Sequence, residues 1–176
     1  MLDNFAVFIL THGRPNKVVT YDTLRRRGYT GPVYIIIDNE DQAADEYRAR
    51  FGDQVIMFDK AAIAKTFDEG DNFNDRRAVI YARNASFEIA QRLGLGWFLQ
   101  LDDDYNGFEY RINNKGQYPK GYRMVQGTLD GIFAAYMEYY KSIDAQSVAM
   151  AQGGDFFQGE REMYFPNRKR KCMNSS

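Results

Sequence analysis

Three consecutive carboxylates, Asp102, Asp103 and Asp104, directly follow an apolar run at residues 96–101. The run is too continuous for a half-exposed strand, so it predicts a buried strand covered on both faces, as in an α/β sheet. Side chains alternate along an extended chain, so Asp102 and Asp104 should point one way and Asp103 the other. Adjacent negative charges repel one another, and a hard divalent cation neutralises them through oxygen ligands. The pattern predicts a metal site at Asp102 and Asp104.

The same acidic triplet also has a purely structural interpretation. Asp is common in turns and at helix N-caps, where its carboxylate accepts hydrogen bonds from backbone N–H groups. The triplet alone does not separate this interpretation from metal binding, so the side chains that the fold brings next to it must decide.

Two further apolar runs, at residues 5–10 and 33–37, also end in polar side chains. The polar residues that follow these runs are Thr11, His12, Arg14 and Asp38. If the strands are parallel, their carboxyl ends meet the acidic triplet at one edge of the sheet, where such sheets bind ligands. Asp38 closes the second strand, a position from which an acid hydrogen-bonds a ribose or a base.

Arginine side chains near this edge suggest a diphosphate ligand. A guanidinium group holds phosphate oxygens in a forked geometry. We expect Arg14, together with Arg83 and Asn84 from the helix before the acidic strand, to supply such contacts. A divalent ion at the triplet would complete a diphosphate site. The plainer alternatives are a solvated Arg83 and a hydrogen-bonded loop role for His12, the single histidine.

The elements that must position these residues alternate along the chain. We predict strands at residues 5–10, 33–37, 55–58 and 96–101, with a further strand at 147–150. We predict helices after Pro15, at 41–51, from about 75 to 93 and at 128–143. Residues 66–77 have no periodicity and predict a loop, and residues 108–122 suit a hairpin or an excursion over the site. Alternating strands and helices indicate a mainly parallel sheet with helices on both faces.

The composition is that of a folded globular protein. The 176 residues are 44% hydrophobic and 27% charged, which is enough for one domain with a core. Lys plus Arg (23) nearly balances Asp plus Glu (24), so the overall charge does not point to nucleic acid or membrane. The single cysteine, Cys172, excludes an internal disulfide and favours a reducing compartment. We therefore expect a cytoplasmic protein with no membrane segment.

Several motifs together resemble glycosyltransferases of the GT-A fold, which is Rossmann-like. They are the opening at residues 8–15, the strand end at Asp38, the segment 82–85 and the segment 99–104. The acidic triplet matches the DXD motif of that family, and the resemblance covers residues 5–155. It implies that Asp104 binds Mn²⁺ or Mg²⁺ on the diphosphate of a nucleotide sugar. It also implies that Asp102 contacts ribose or sugar, with Thr11, His12 and Asp103 close to the donor.

More narrowly, the sequence resembles the TET-associated glycosyltransferases of phages. The segments that carry this likeness are 11–15, 152–157 and 168–171. The likeness implies a UDP-sugar donor and, as acceptor, a hydroxymethylated pyrimidine in phage DNA within the host cytoplasm. Residues 1–105 would then form the donor and metal half of one domain spanning 1–176, and residues 106–176 the acceptor half. Either Asp155 is the general base, or the base lies on sequence beyond this chain.

Two other functions fit parts of the sequence. One is a nucleotide-binding or nucleic-acid-binding module of the same fold without catalysis, which would not consume a nucleotide sugar. The other is a nucleotidyltransferase, but this activity would need a glycine-rich basic loop after the first strand, and residues 11–15 contain only Gly13. The identity of the sugar, the stereochemical outcome and the oligomeric state depend on pocket geometry that residue spacing does not reveal.

Overall fold

Four parallel strands form the central sheet in a computed structural model that describes residues 2–68, 70, 79–110 and 123–150. The strands are β1 (Phe5–Leu10), β2 (Val33–Asp38), β3 (Val55–Phe58) and β4 (Trp97–Asp102). They lie in the order β3-β2-β1-β4, and each neighbouring pair is parallel. From β1 the chain adds β2 and β3 on one side and then returns to add β4 on the other side. Open α/β sheets form their ligand-binding crevice at such a change of direction, here between β1 and β4.

Helices connect and cover these strands. They are α1 (Val19–Arg26), α2 (Ala44–Phe51), α3 (Lys60–Ala64), α4 (Ile80–Arg92) and α5 (Leu129–Lys141). A single 3₁₀ turn, Pro15–Lys17, precedes α1, since proline is tolerated at the first helical position. Two short antiparallel strands, β5 (Glu109–Tyr110) and β6 (Arg123–Met124), lie between β4 and α5.

The core has two layers, one on each face of the sheet. All six side chains of β1 are buried, and they alternate between the two faces. The odd-numbered side chains pack with those of α1, α2 and α5, and the even-numbered ones pack with those of α3 and α4. The α/β class, the parallel sheet and the helices on both faces are therefore confirmed.

The structure also corrects two sequence predictions. Residues 147–150 form no strand, because no ladder of hydrogen bonds pairs them with a neighbour. The acidic strand is not fully covered either: within the described residues β4 pairs only with β1, and of its six residues only Leu101 is buried, the others being half-buried. β4 lies at the edge of the sheet, which accounts for the partial exposure of its side chains. Of the region 108–122, predicted as a hairpin or an excursion, the structure describes residues 108–110: Glu109–Tyr110 forms β5, which pairs with β6, and residues 111–122 lie outside the described part.

The end of α1 packs closely against the start of α5. Leu129 N–H donates to the carbonyl of Arg27 at 3.1 Å, so two helix ends satisfy each other's backbone groups. Gly28 makes this possible: its φ is +87°, and a Cβ there would lie 2.5 Å from the backbone carbon of Gly127. We expect Gly28→Ala to lower the free energy of unfolding by about 3 kcal/mol, combining left-handed backbone strain with steric overlap.

The matched control for this substitution is Gly94→Ala. Gly94 also follows the end of a helix and has a positive φ, of +67°, but a Cβ there would meet nothing within 4 Å. Its substitution should therefore cost only the backbone strain, about 1–2 kcal/mol. Urea unfolding of both variants measures the loss of unfolding free energy. Equal losses would show that the close approach of Gly28 to Gly127 adds nothing to the cost of the substitution.

Within the described ranges, no helix has both the length and the apolar character needed to cross a membrane. The longest helices, α4 and α5, each have 13 residues, whereas a bilayer core requires about 20.

Candidate active site at the carboxyl edge of the sheet

The parallel sheet brings the predicted polar residues to one edge. Leu10, the last residue of β1, pairs in register with Ile36 of β2 and with Asp102 of β4. Thr11 therefore follows β1 at the level where the acidic triplet begins, and Asp38 closes the neighbouring strand. The structure therefore confirms the prediction that these strand ends lie next to one another at one edge of the sheet.

Asp103 ties the triplet to the loop after β1. Its side chain is only 2% exposed, and its two carboxylate oxygens accept hydrogen bonds from different residues. Thr11 Oγ1 donates to Oδ2 at 2.6 Å, and the guanidinium of Arg14 donates to Oδ1 at 2.8 Å. Asp103 is therefore an internal anchor that holds the β1 loop against the end of β4.

The hydroxyl of Tyr47, a fully buried residue of α2, extends this network. It accepts a hydrogen bond from the backbone N–H of Arg14 at 2.8 Å and lies 2.9 Å from Thr11 Oγ1. Because the single hydroxyl proton of Thr11 points to Asp103, Tyr47 must be the donor to Thr11. Three hydrogen bonds thus run in one direction, from Arg14 through Tyr47 and Thr11 to Asp103, an arrangement in which each bond polarises the next.

Thr20 of α1 fixes the backbone of the triplet. This fully buried residue donates from Oγ1 to the carbonyl of Asp102 at 2.6 Å and accepts from the backbone N–H of Tyr105 at 2.8 Å. Its own N–H donates to the carbonyl of Asp103 at 3.1 Å. The turn that carries the three acids is held in one conformation by a single side chain and its backbone.

Asp102 points to the opposite face of the sheet from Asp103, as strand alternation predicts. Its Oδ1 lies 3.0 Å from the guanidinium of Arg83 in α4, whose side chain is 15% exposed. The carbonyl of Arg83 accepts a hydrogen bond from Gln100 Nε2 at 2.8 Å. Asn84, by contrast, donates its amide to the carbonyl of Ile80 one helical turn back, at 2.9 Å. The structure thus pairs Arg83 with the triplet and engages Asn84 within its own helix.

Asp104 is the exposed member of the triplet. Among the described residues, it has no hydrogen-bonding or ionic partner, and no group of three acidic, histidine or cysteine side chains is arranged to share a metal ion. Mg²⁺ is commonly held by one or two carboxylates together with substrate phosphates, instead of by an all-protein cage. An exposed, unpaired carboxylate beside a second acid fits that mode of binding.

A second cluster surrounds Asp38. Its Oδ2 lies 2.8 Å from Nδ1 of His12, and its Oδ1 lies 2.9 Å from Nζ of Lys60, the first residue of α3. Lys60 is as buried as Asp38, with 7% of each side chain exposed, and it also reaches Glu40 at 3.4 Å. Asp41 is buried beside them and accepts the N–H of Gly13 at 2.8 Å. Both carboxylate oxygens of Asp38 therefore already have partners inside the protein.

A family model for TET-Associated Glycosyltransferase matches residues 5–175, almost the whole chain. The chain belongs to this glycosyltransferase family. No curated protein and no solved structure matches it significantly. Membership confirms the resemblance drawn from the motifs and makes the protein a transferase, in preference to a non-catalytic module. Such an enzyme requires a nucleotide-sugar donor and an acceptor, and we take the edge described above as the candidate site for the donor.

Four residues of the transferase's edge network were not expected from the sequence: Thr20, Asp41, Tyr47 and Lys60. Tyr47 lies in the helix predicted at 41–51, but the partner of its hydroxyl lies 36 residues earlier in the chain. Lysine is among the residues least often buried, so Lys60 carries no sequence signal for its position. Asp155, the candidate base, and the segments 152–157 and 168–171 lie outside the described residues.

Burial raises the pKa of Tyr47 above the ordinary tyrosine value of about 10, and the nearby carboxylates of Asp41 and Asp103 act in the same direction, whereas the Arg14 N–H that donates to the phenolic oxygen opposes the rise. The folded transferase therefore keeps this proton to higher pH than the unfolded chain. The corresponding stability is present below about pH 10 and is lost as the pH rises through the folded pKa. We expect the free energy of unfolding to fall above pH 10, and to fall less steeply in Tyr47→Phe.

The same substitution should cost about 1–3 kcal/mol at neutral pH, because it leaves the Arg14 N–H without its acceptor. Tyr139→Phe serves as the control, since Tyr139 is 56% exposed on α5. Urea unfolding at pH 7, 9 and 10.5 measures both effects. If the free energy of unfolding depends on pH identically in the wild type and in Tyr47→Phe, Tyr47 is not a source of the stability lost at high pH.

Proposed function

We propose that this transferase moves a sugar from a nucleoside-diphosphate sugar, a UDP-sugar in the first instance, to a hydroxyl acceptor with the help of a divalent metal ion. One structural observation carries the proposal: an exposed, unpartnered carboxylate, Asp104, stands beside two acids whose positions are fixed by buried hydrogen bonds. If the triplet served only as a turn, all three carboxylates would be expected to pair with groups of the protein. Asp102 and Asp103 do so, whereas Asp104 has no such partner among the described residues.

Asp104 would be the residue that holds Mn²⁺ or Mg²⁺, with Asp102 next to it. When bound, such an ion would neutralise the diphosphate and make it a better leaving group. Asp102 is held by Arg83 at 3.0 Å, so its part in metal binding would be secondary, and we propose that it contacts the sugar or ribose. These proposed roles follow the exposure of the three acids, since Asp104 is exposed, Asp102 is half-buried and Asp103 is buried.

Arg14 is the cation best placed to hold a phosphate oxygen. One nitrogen is fixed by Asp103, yet the side chain is 53% exposed, so the guanidinium keeps donors directed to solvent. The anchor on Asp103 orients the group before a ligand arrives, which lowers the entropy lost on binding. Arg83 is less exposed and would act mainly through Asp102.

For the acceptor we propose a hydroxymethylated pyrimidine in phage DNA, with the reaction taking place in the host cytoplasm. The support is the resemblance to the phage members of the family and the basic run at residues 168–171, which suits a nucleic-acid backbone. Asp155 remains the candidate for accepting the proton of the acceptor hydroxyl.

The test incubates the full chain with Mg²⁺, a panel of UDP-sugars, and duplex DNA that contains 5-hydroxymethylcytosine. Matched DNA with 5-methylcytosine lacks the hydroxyl and is the control. We expect mass spectrometry of the digested nucleosides to find one added sugar residue on the hydroxymethylated base alone. UDP release at equal rates with both DNAs would contradict the proposed acceptor, and no UDP release with any acceptor would contradict the proposed donor.

A further inference from the structure

The environment of Asp38 determines what the end of β2 can offer a ligand. Three donors converge on its carboxylate: His12 Nδ1 at 2.8 Å, Lys60 Nζ at 2.9 Å and the backbone N–H of Glu40 at 3.0 Å. Only 7% of the Asp38 side chain is exposed. Asp38 was expected to contact a base or ribose itself, but here its oxygens are already occupied and largely out of reach.

His12 is the exposed member of this cluster, with 55% of its side chain accessible. The carboxylate of Asp38 pairs with the buried Lys60 ammonium, so it is ionised and can only accept hydrogen bonds. Nδ1 of His12 must then carry a hydrogen. Asp41, whose nearer oxygen lies 3.7 Å from the same nitrogen, favours that arrangement further. In a neutral imidazole this leaves Nε2 with a free lone pair.

We infer that His12, held as the Nδ1–H tautomer by Asp38 and Lys60, presents Nε2 as a hydrogen-bond acceptor to an N–H or O–H group of the donor's nucleoside. The inference rests on the proposed function and specifies a residue that selects the nucleoside. Among the described residues, Nε2 has no polar partner that would compete with a ligand.

The position of the cluster favours the nucleoside over the sugar. In the sheet, β1 separates β2 from β4, so Asp38 and the acidic triplet lie on opposite sides of β1, about two strand spacings or ~10 Å apart. A diphosphate at the triplet can place its ribose and base across β1. The end of the second strand is where sheets of this kind meet the ribose.

The sequence contains a single histidine, which allows a direct spectroscopic test. In a nitrogen-15 spectrum of the full chain, the two ring nitrogens belong to His12 alone, and their shifts distinguish the two neutral tautomers and the imidazolium. We expect Nδ1 to be protonated, Nε2 to be unprotonated, and the Nε2 resonance to move when UDP and Mg²⁺ are added. A protonated Nε2, or an Nε2 resonance that does not move in the UDP-bound sample, would overturn the inference.

Calorimetry on the same samples separates this inference from the proposed function. UDP that binds without moving Nε2 overturns the inference alone. If UDP, CDP, GDP, ADP and dTDP all fail to bind in the presence of Mg²⁺, the proposed function and the inference fall together. The double substitution Asp38→Asn/Lys60→Met removes the buried charge pair as a unit, and we expect it to populate the Nε2–H tautomer.

Analogues of UDP identify which group Nε2 contacts. We expect His12→Asn to weaken UDP binding about three- to tenfold, since Asn can replace Nδ1–H but does not reach as far as Nε2. 2′-Deoxy-UDP and 3′-deoxy-UDP lack one ribose hydroxyl each, and N3-methyl-UDP lacks the base N–H. To the wild type, one of these three analogues should bind more weakly than UDP does. To His12→Asn, the same analogue and UDP should bind with equal affinity. Equal losses on both proteins for all three analogues would overturn the contact.

Discussion

Asp104→Asn is expected to lower the rate of sugar transfer about a thousandfold while leaving the free energy of unfolding within about 0.5 kcal/mol of the wild type. Asp104 is exposed, and no described residue depends on it for a hydrogen bond, so the fold should tolerate the change. Asn keeps the size of the side chain but loses the charge that a divalent cation requires. Initial rates with a UDP-sugar and saturating Mg²⁺ measure the loss.

Asp53→Asn is the matched control for this substitution. Asp53 is also exposed, but it lies two residues before β3 and therefore at the opposite, amino-terminal edge of the sheet. Its substitution should leave the rate of transfer unchanged. A rate in Asp104→Asn within tenfold of the wild type would contradict the assignment of the metal to this carboxylate.

Asp103→Ala is expected to reduce stability strongly, by about 3 kcal/mol. The substitution removes the acceptor of a buried hydroxyl, Thr11 Oγ1, and of the guanidinium of Arg14. We place the loss at the lower end for a buried ionic network because the Arg14 side chain is 53% exposed and can be solvated. Urea unfolding monitored by circular dichroism measures the change.

Two further substitutions test the origin of this loss. Asp103→Asn retains an acceptor oxygen for Thr11 and should lose about half as much stability as Asp103→Ala. Asp45→Asn changes an acid whose side chain is 99% exposed and which, among the described residues, pairs only with Arg48 of the same helix, so it should cost less than about 0.5 kcal/mol. Equal, small effects of all three would contradict the role of Asp103 as an anchor.

The layout of the sheet follows closely from the sequence. Apolar runs of four to six residues specify β1, β2 and β3, and the helices that follow β1 and β2 end near glycine, which indicates that the carboxyl ends of these strands are parallel. The alternation of side chains along β4 correctly sends Asp102 and Asp103 to opposite faces, towards Arg83 and Thr11 respectively. These features depend on local pattern and on chain connectivity, which a sequence carries directly.

Other features depend on partners that are distant in the chain. The hydroxyl of Tyr47 and the buried ammonium of Lys60 acquire their roles only when the sheet has closed. The α3 helix has only five residues, too few to establish a helical period. The strand predicted at 147–150 was wrong because a short apolar segment is a strand only when it pairs with a neighbour, and four residues of local pattern do not specify that pairing.

The candidate site therefore divides into residues whose polar groups are bonded inside the protein and residues that are exposed to solvent. Asp103, Asp38 and Tyr47 are used inside the protein, and they position the β1 loop and His12. Asp104 and His12 are exposed and have the capacity to meet a ligand. Sequence spacing identified the edge of the sheet, but only the hydrogen bonds separate these two groups, because neighbouring acids of identical chemistry fall on both sides of the division.

The most direct test of the account is a calorimetric titration of UDP into the full chain, with Mn²⁺ and with a chelator, repeated for Asp104→Ala. The account predicts binding that requires both the metal ion and Asp104, with no binding in the chelated sample. Binding of UDP that is equally strong without metal, or in Asp104→Ala, would contradict a metal-dependent donor site at the acidic triplet.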